Sequence, residues 1–260
     1  MSPTPGRLIN SQRRMVGHCV LVETDAGGLV LIDTGLGLAD MADRSRLGFV
    51  YTRMFRPRLN PAATAVRQIE GLGYEAQDVR HIVLTHLDVD HTGGITDFPW
   101  ASVHVSADEH AAAMAPRSGN ERWRYRPVQW AHGPNWSLYE PGEGERWLGF
   151  DAVRELPGLP EEILAIPLLG HTRGHCAIAV LAGGRWLLDA GDTYFHQGEA
   201  SVPPGQVPGF MRAFERNVAI DWDTLLANQA RLRELAASHP DVTVFSSHDP
   251  AEFDALARVG

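Results

Sequence analysis

His81 to Gly94 reads HIVLTHLDVDHTGG, and its change of character at His86 governs the reading of everything around it. From Val79 to Thr85 the run is apolar, long enough for a buried strand and too short for a free helix. His86, Asp88, Asp90 and His91 then follow at i, i+2, i+4 and i+5, leaving the strand end toward one small volume. Carboxylates and imidazoles at that density repel or compete for protons unless something positive lies among them. A bound divalent metal is the simplest resolution. For Asp88 and Asp90 taken alone, a solvated acidic turn is the alternative.

Three more segments end in the same way. Leu168-Leu169-Gly170-His171 and Val244-Phe245-Ser246-Ser247-His248 each close an apolar strand with a histidine, and Leu188-Asp189-Ala190-Gly191-Asp192 closes one with a carboxylate. The carboxyl ends of strands are where α/β sheets build their sites. One such histidine is usually structural; three such endings beside His86–His91 point to a metal site.

Further out, Met15–Glu23 and Gly28–Thr34 read as a hairpin turned at Asp25-Ala26-Gly27. Asn60-Pro61 opens a helix over Ala62–Leu72, and Ser106 with Glu109 forms a capping box into a helix over Ala107–Met114. Strands are expected at Ser102–Ser106, Ile163–Leu169, Cys176–Leu181, Arg185–Asp189 and Val242–Ser246, with helices over Asp221–Ser238 and from Ala251. Strands and helices alternate throughout with no low-complexity linker, which gives one α/β domain over residues 1–260. Residues 38–60 interleave arginines with Phe49, Tyr51 and Phe55, leaving open a lid, a subunit interface in a homodimer, or a solvated loop. Residues 116–160 read as a loop-like, aromatic-rich insertion that forms a cavity wall or simply packs.

With 44% hydrophobic and 21% charged residues the chain is neither disordered nor fibrous. Lys and Arg total 23 against 32 Asp and Glu, and a net −9 argues against nucleic acid, which needs a basic face. Two cysteines, Cys19 and Cys176, exclude a disulfide scaffold or a Cys-rich zinc module. The polar Met1–Met15 stretch is not expected to be a signal peptide, and no apolar run reaches a membrane helix. A cytoplasmic protein acting on a small molecule, with no membrane partner, is the expectation.

The order Asp33-Thr34-Gly35, His86…Asp90-His91-Thr92-Gly93-Gly94, Gly170-His171-Thr172-Arg173-Gly174-His175, Gly191-Asp192 and Ser246-Ser247-His248 resembles the metallo-β-lactamase superfamily. The resemblance runs from about Val16 to His248. It implies an αβ/βα sandwich of two mixed β-sheets flanked by helices, with two divalent ions, zinc by family habit, at one edge. It also implies that His86 and His171 hold one ion, that Asp90, His91 and His248 hold the other, and that Asp192 bridges them. Asp33 would orient a ligand through hydrogen bonds.

One position departs from the superfamily's HxHxDH: Asp88 stands where a second histidine is expected. An anionic oxygen in place of a neutral nitrogen hardens the site and moves preference from zinc toward manganese or iron. It also acidifies a bound water less. Asp88 is expected to join His86 and His171 as a ligand; the alternative is that it leans away and leaves a single-metal site. The flavodiiron branch also carries a carboxylate here, which keeps a diiron oxidoreductase open, although no flavin domain is written in these residues.

Within the superfamily the chain looks most like the N-acyl homoserine lactonase branch. The Gly71–Val79 segment before the first metal strand is similarly spaced, and Asp192-Thr193-Tyr194 resembles the lactonase segment whose tyrosine meets the substrate carbonyl. The expected activity is hydrolysis of a carboxylic ester or lactone by metal-bound hydroxide. In it Tyr194 donates to the oxyanion and Asp90 shuttles the proton. Thioester, phosphoester and β-lactam hydrolysis stay open, and Tyr194 as an ordinary packed aromatic stands beside the catalytic reading. His175 is expected to pack beside the ligands rather than bind metal, and His196 to pack or to line the cavity.

Overall fold

A strand that is apolar at every position has to be covered on both faces, and Leu29-Val30-Leu31-Ile32 is such a run. In the computed structural model, which describes residues 15–24, 28–140, 144–151 and 156–257, all four are buried and neighbours face opposite ways. Val30 and Ile32 meet Val83, Ile163, Ala165, Cys176, Ile178 and Val180 between two sheets. Leu29 and Leu31 meet Val66, Ile69 and Ala112 on an outer helical layer. The expected Asp25-Ala26-Gly27 turn and the reading of residues 1–14 lie outside the described residues.

The first sheet holds β1 (Val20–Thr24), β2 (Gly28–Ile32), β3 (Val79–Val83), β4 (Ser102–Ser106) and β5 (Asn135–Tyr139) in that spatial order. β1 and β2 are antiparallel and the other pairs parallel. A two-stranded ribbon, β6 (Arg146–Trp147) and β7 (Phe150–Asp151), leads to the second sheet. That sheet contains β8 (Ile163–Pro167), β9 (Cys176–Ala182), β10 (Arg185–Asp189) and β11 (Val242–Phe245), ordered β11-β10-β9-β8. β10 and β11 are parallel; β9 runs against β8 and β10. Both sheets are mixed, as expected.

Nine helices accompany the strands among the described residues: α1 (Leu38–Ala42), α2 (Phe49–Phe55), α3 (Ala65–Gly71), α4 (Val89–Thr92), α5 (Ala107–Met114), α6 (Gly119–Arg124), α7 (Gly209–Val218), α8 (Trp222–Ser238) and α9 (Pro250–Leu256). Val66 and Ile69 of α3 and Ala112 of α5 cover the outside of the first sheet. Leu232 and Leu235 of α8 cover Leu164, Ile166, Ala177 and Ala179 on the outside of the second. The result is the four-layered αβ/βα sandwich. Each fully buried Leu or Ile contributes about 1.5–3 kcal/mol through lost water contact, so the inter-sheet aliphatics outweigh any single polar contact of the scaffold. No helix among the described residues is long and apolar enough to cross a membrane.

Three readings need adjustment. The helix expected over 62–72 begins as a 3-10 turn at Pro61–Ala63, with the Asn60 side chain accepting from Ala62 N at 3.2 Å, before α3 takes over. Residues 116–160 are less loop-like than expected, since α6 lies there and β5 extends the first sheet alongside β4. α7 was not expected at all. Its arginines and glutamate break the apolar pattern, yet Met211, Glu215 and Val218 recur at helical spacing and are buried.

Candidate metal centre

β2, β3, β8, β10 and β11 all deliver their carboxyl ends to one edge of the sandwich. Asp33 follows β2 directly, in the left-handed region at φ 51°. That conformation is costly for most side chains but tolerated by aspartate. From there one carboxylate accepts from Thr85 N (2.9 Å), Thr85 Oγ1 (2.7 Å) and His91 Nδ1 (2.7 Å). It thereby ties the end of β2 to the turn after β3.

Because the Thr85 hydroxyl donates to Asp33, its oxygen is left to accept from His86 Nδ1 at 2.9 Å. His248 Nδ1 donates to Val16 O at 2.7 Å. His86, His91 and His248 are therefore each anchored by Nδ1 and present Nε2, as a lone-pair donor, to the interior. His86 Nε2, His91 Nε2 and Asp192 Oδ1 are buried without a hydrogen-bond partner among the described residues.

These atoms converge in two groups. His171 Nε2 lies 3.1 Å from Asp88 Oδ2 and 3.4 Å from Asp192 Oδ2, and His86 Nε2 lies 3.6 and 3.7 Å from the same oxygens. On the other side, Asp192 Oδ1 is 3.4 Å from His91 Nε2 and 3.1 Å from His248 Nε2, which is 3.7 Å from Asp90 Oδ2. Asp192 sends one oxygen to each group. Donor atoms of His86, Asp88, His171 and Asp192 lie within 4.8 Å of one another, as do those of Asp90, His91 and His248. The mixed imidazole and carboxylate set suits two divalent ions, and the orphaned inward-facing atoms are what such ions would satisfy.

The electrostatics agree. Burial alone would neutralise Asp192, but His248, His91 and His171 outweigh it and hold the carboxyl well below its usual range. For Asp88 burial is likewise overcome, first by Arg124 and then by His86. Burial opposes charge on His248 too, yet Asp192 and Asp90 push it up to about 9, whereas burial and then Arg124 bring His171 down to about 4. A cluster that keeps its acids ionised and recruits protons onto imidazoles releases those protons when cations enter.

His175 packs beside the donors as expected, its ring centroid 5.0 Å from that of His86, and the bonds through which it and Glu109 act were not legible in the sequence. His175 donates Nδ1–H to Leu168 O (3.0 Å) and accepts from Asp192 N (3.0 Å), so it fixes the backbone of Asp192. Gly191, at φ 54°, passes close against that ring, and a Cβ there would strike His175 Nε2. Ser106 caps α5 as expected, accepting from Glu109 N at 3.1 Å. The Glu109 carboxylate does not return to Ser106. It accepts from Leu87 N (3.0 Å), Gly174 N (3.1 Å) and the Tyr125 hydroxyl (3.1 Å), joining the two histidine-bearing turns.

Above the donors lies a narrow cavity open to solvent. Asp88, Asp90, His171, Asp192 and His248 form its polar floor, and Tyr51, Phe55, Trp123, Phe195, Phe214 and Val218 supply an apolar wall. Residues 38–60 thus place Tyr51 and Phe55 of α2 over the site. Tyr51 is buried, and burial followed by the charge of the neighbouring Asp90 pushes its hydroxyl well above the usual range. Trp123 of α6, within the aromatic-rich segment read as a cavity wall or as packing, does line the cavity, whereas Arg124 of α6 and Phe214 and Val218 of α7 were missed. The 211–214–218 spacing was the available signal for α7; nothing local marked Arg124.

Tyr194 must be corrected. Its backbone is extended (φ −152°, ψ 164°), so it and Phe195 point opposite ways. Phe195 takes the cavity side, its ring stacked on His248 with centroids 5.2 Å apart. The Tyr194 hydroxyl is buried and donates to Glu252 at 2.9 Å, away from the donors. His196 caps the turn after it, accepting from Gly198 N at 3.1 Å, and does not line the cavity.

The sequence profile of the metallo-beta-lactamase superfamily matches residues 13–248. A "probable metallo-hydrolase" of Mycobacterium tuberculosis is 47% identical over 242 residues, spanning 93% of this chain and 76% of the relative. An N-acyl homoserine lactonase of Rhizobium radiobacter is 30% identical over 237 residues, 87% of this chain and 80% of that protein. Among solved structures, a Bacillus thuringiensis lactonase variant with N-decanoyl-L-homoserine bound superposes with a TM-score of 0.66. The match covers 98% of this chain and 88% of that one at 20% identity, a likeness of fold.

Proposed function

The chain belongs to the metallo-β-lactamase superfamily, as a metallo-hydrolase, and from that premise we propose that it hydrolyses carboxylic esters, lactones foremost. The observation that carries the reading is the shared aspartate: Asp192 offers one oxygen to each of two donor groups on the floor of a largely apolar cavity. Divalent ions held there supply water activated at neutral pH and polarise a carbonyl oxygen. Zinc is the proposed pair, with manganese or iron as the alternatives that Asp88 raises.

The chain's own residues do the rest. Phe55, Trp123, Phe195 and Phe214 give an acyl substituent a dry wall and exclude bulk water from the floor. Asp90, at 20% side-chain exposure and facing the cavity, takes up the proton of the attacking water and returns it to the leaving alkoxide. Tyr51 takes the place first assigned to Tyr194. Its hydroxyl, beside Asp90 and within the cavity wall, donates to the oxygen that gains charge.

Turnover on a panel of lactones, aryl esters, a thioester, a phosphotriester and a β-lactam tests the reading. Each is assayed after loading with zinc, manganese, iron or cobalt, beside oxygen uptake with a chemical reductant. Saturable lactone or ester hydrolysis that disappears on chelation is expected. Metal-loaded protein that cleaves no carboxylic ester, or that consumes oxygen instead, would overturn it.

A further inference from the structure

Asp88 is shared between two neighbours of opposite character. Its Oδ2 faces the donor group, 3.1 Å from His171 Nε2 and 3.6 Å from His86 Nε2. Its Oδ1 lies 3.2 Å from Arg124 Nε. Arg124 is 1% exposed and held in place: one terminal nitrogen donates to His171 O at 2.8 Å and the other to Val218 O at 3.0 Å. An antiparallel backbone bridge between Asp88 and Tyr125 sets the two side chains against each other. The second terminal nitrogen also lies 3.4 Å from His171 Nε2, so the guanidinium charge reaches the donor group itself.

A buried guanidinium beside a place meant for a cation is repulsive unless an anion cancels it, and an extra buried carboxylate is costly unless a cation pairs with it. Each charge makes sense only in the presence of the other. We propose that Asp88 and Arg124 form one unit that presents a single oxygen to the metal, giving that donor group about the net charge a neutral imidazole at position 88 would give. Arg124 is then a positioning residue acting through Asp88, and the two positions are exchangeable together but not singly. The inference rests on the reading that these donors hold metal.

A double-substitution cycle read by metal stoichiometry and competition binding tests it, without recourse to turnover. Asp88→His alone leaves Arg124 uncompensated, and the affinity of the weaker-held ion should fall about tenfold or more; Asp88→His with Arg124→Met should restore it. Arg124→Met alone leaves the anion unpaired and should shift preference from zinc toward manganese by a similar factor. Asp88→Asn, the same shape without the charge, repeats the first arm should the histidine fail to fold, with circular dichroism and melting as controls. Two tightly bound ions in parent and Asp88→His alike, or an Arg124→Met variant with the parent's preference, overturns the coupling while leaving the metal centre standing. A parent chain that binds no metal overturns both.

Discussion

Two buried groups of acids meet at Phe195, and they are settled by opposite means. On one side, the Phe195 backbone N–H lies 3.2 Å from both Glu199 and Glu215 carboxylates. Arg212 donates to Glu199 at 3.2 Å, and both glutamates are buried. Burial, and then the adjoining Glu199 carboxylate, push the Glu215 carboxyl up to about 10, so one proton and one arginine settle the pair at neutral pH. On the other side, the Phe195 ring covers His248, where Asp88 and Asp192 stay ionised among imidazoles of which two, His86 and His91, turn an inward nitrogen that has no hydrogen-bond partner among the described residues. Buried acid alone does not mark a cation site. Buried acid facing anchored imidazole lone pairs does.

The comparison breaks most visibly at Asp192. Asp192→Ala should lower hydrolysis by ~10³-fold or more and take metal content below two ions per chain, because one carboxylate serves both groups. Glu215→Gln, in the proton-settled pair, should leave metal content within error and kcat within about twofold. Equal metal loss in both variants, by elemental analysis, would erase the distinction.

Tyrosines sharpen it at a smaller scale. Tyr51→Phe should lower kcat by roughly 10- to 100-fold with little change in KM, the mark of a donor engaged mainly in the transition state. Tyr194→Phe should leave kcat unchanged and cost about 1 kcal/mol of stability in a denaturant melt, since only its bond to Glu252 is lost. The reverse pattern would return the catalytic role to Tyr194.

The smallest effect is on pH dependence. The folded-state pKa of Glu215 is raised above its ordinary value of 4.5. Its contribution is therefore full below about 4.5 and is lost as pH rises toward about 10. Glu215→Gln should flatten the decline of Tm across that window by about 3 °C or more, measured by scanning fluorimetry on metal-free protein. An unchanged slope would mean that Glu215 is ionised in the fold.

Much of this was legible because the donors are coupled to regular elements. His86, His171, Asp192 and His248 each follow a strand whose apolar run is plain in the sequence, and ordered strand ends in a parallel set can only converge. Arg124 and Tyr51 were not legible in their roles, because their partners lie in turns of unrelated sequence position and no periodicity links Arg124 to Asp88. Tyr194 failed for a local reason: sequence similarity placed it in the right segment, but one extended residue decides which of two neighbours faces the site. The Glu199–Glu215 pair needed tertiary contact before its chemistry could be read at all.

The anchoring of His248 by Val16 carries a consequence for synthesis. That hydrogen bond joins residues 232 positions apart, and His18 N adds a second tie to Ser247 O at 2.9 Å. During translation the segment around Val16 waits, unpaired, through almost the whole chain. The ring of His248 therefore cannot take its orientation until the last strand has left the ribosome and docked. Completion of the Asp90–His91–His248 group thus waits on the contact between the Val16 segment and the turn after β11.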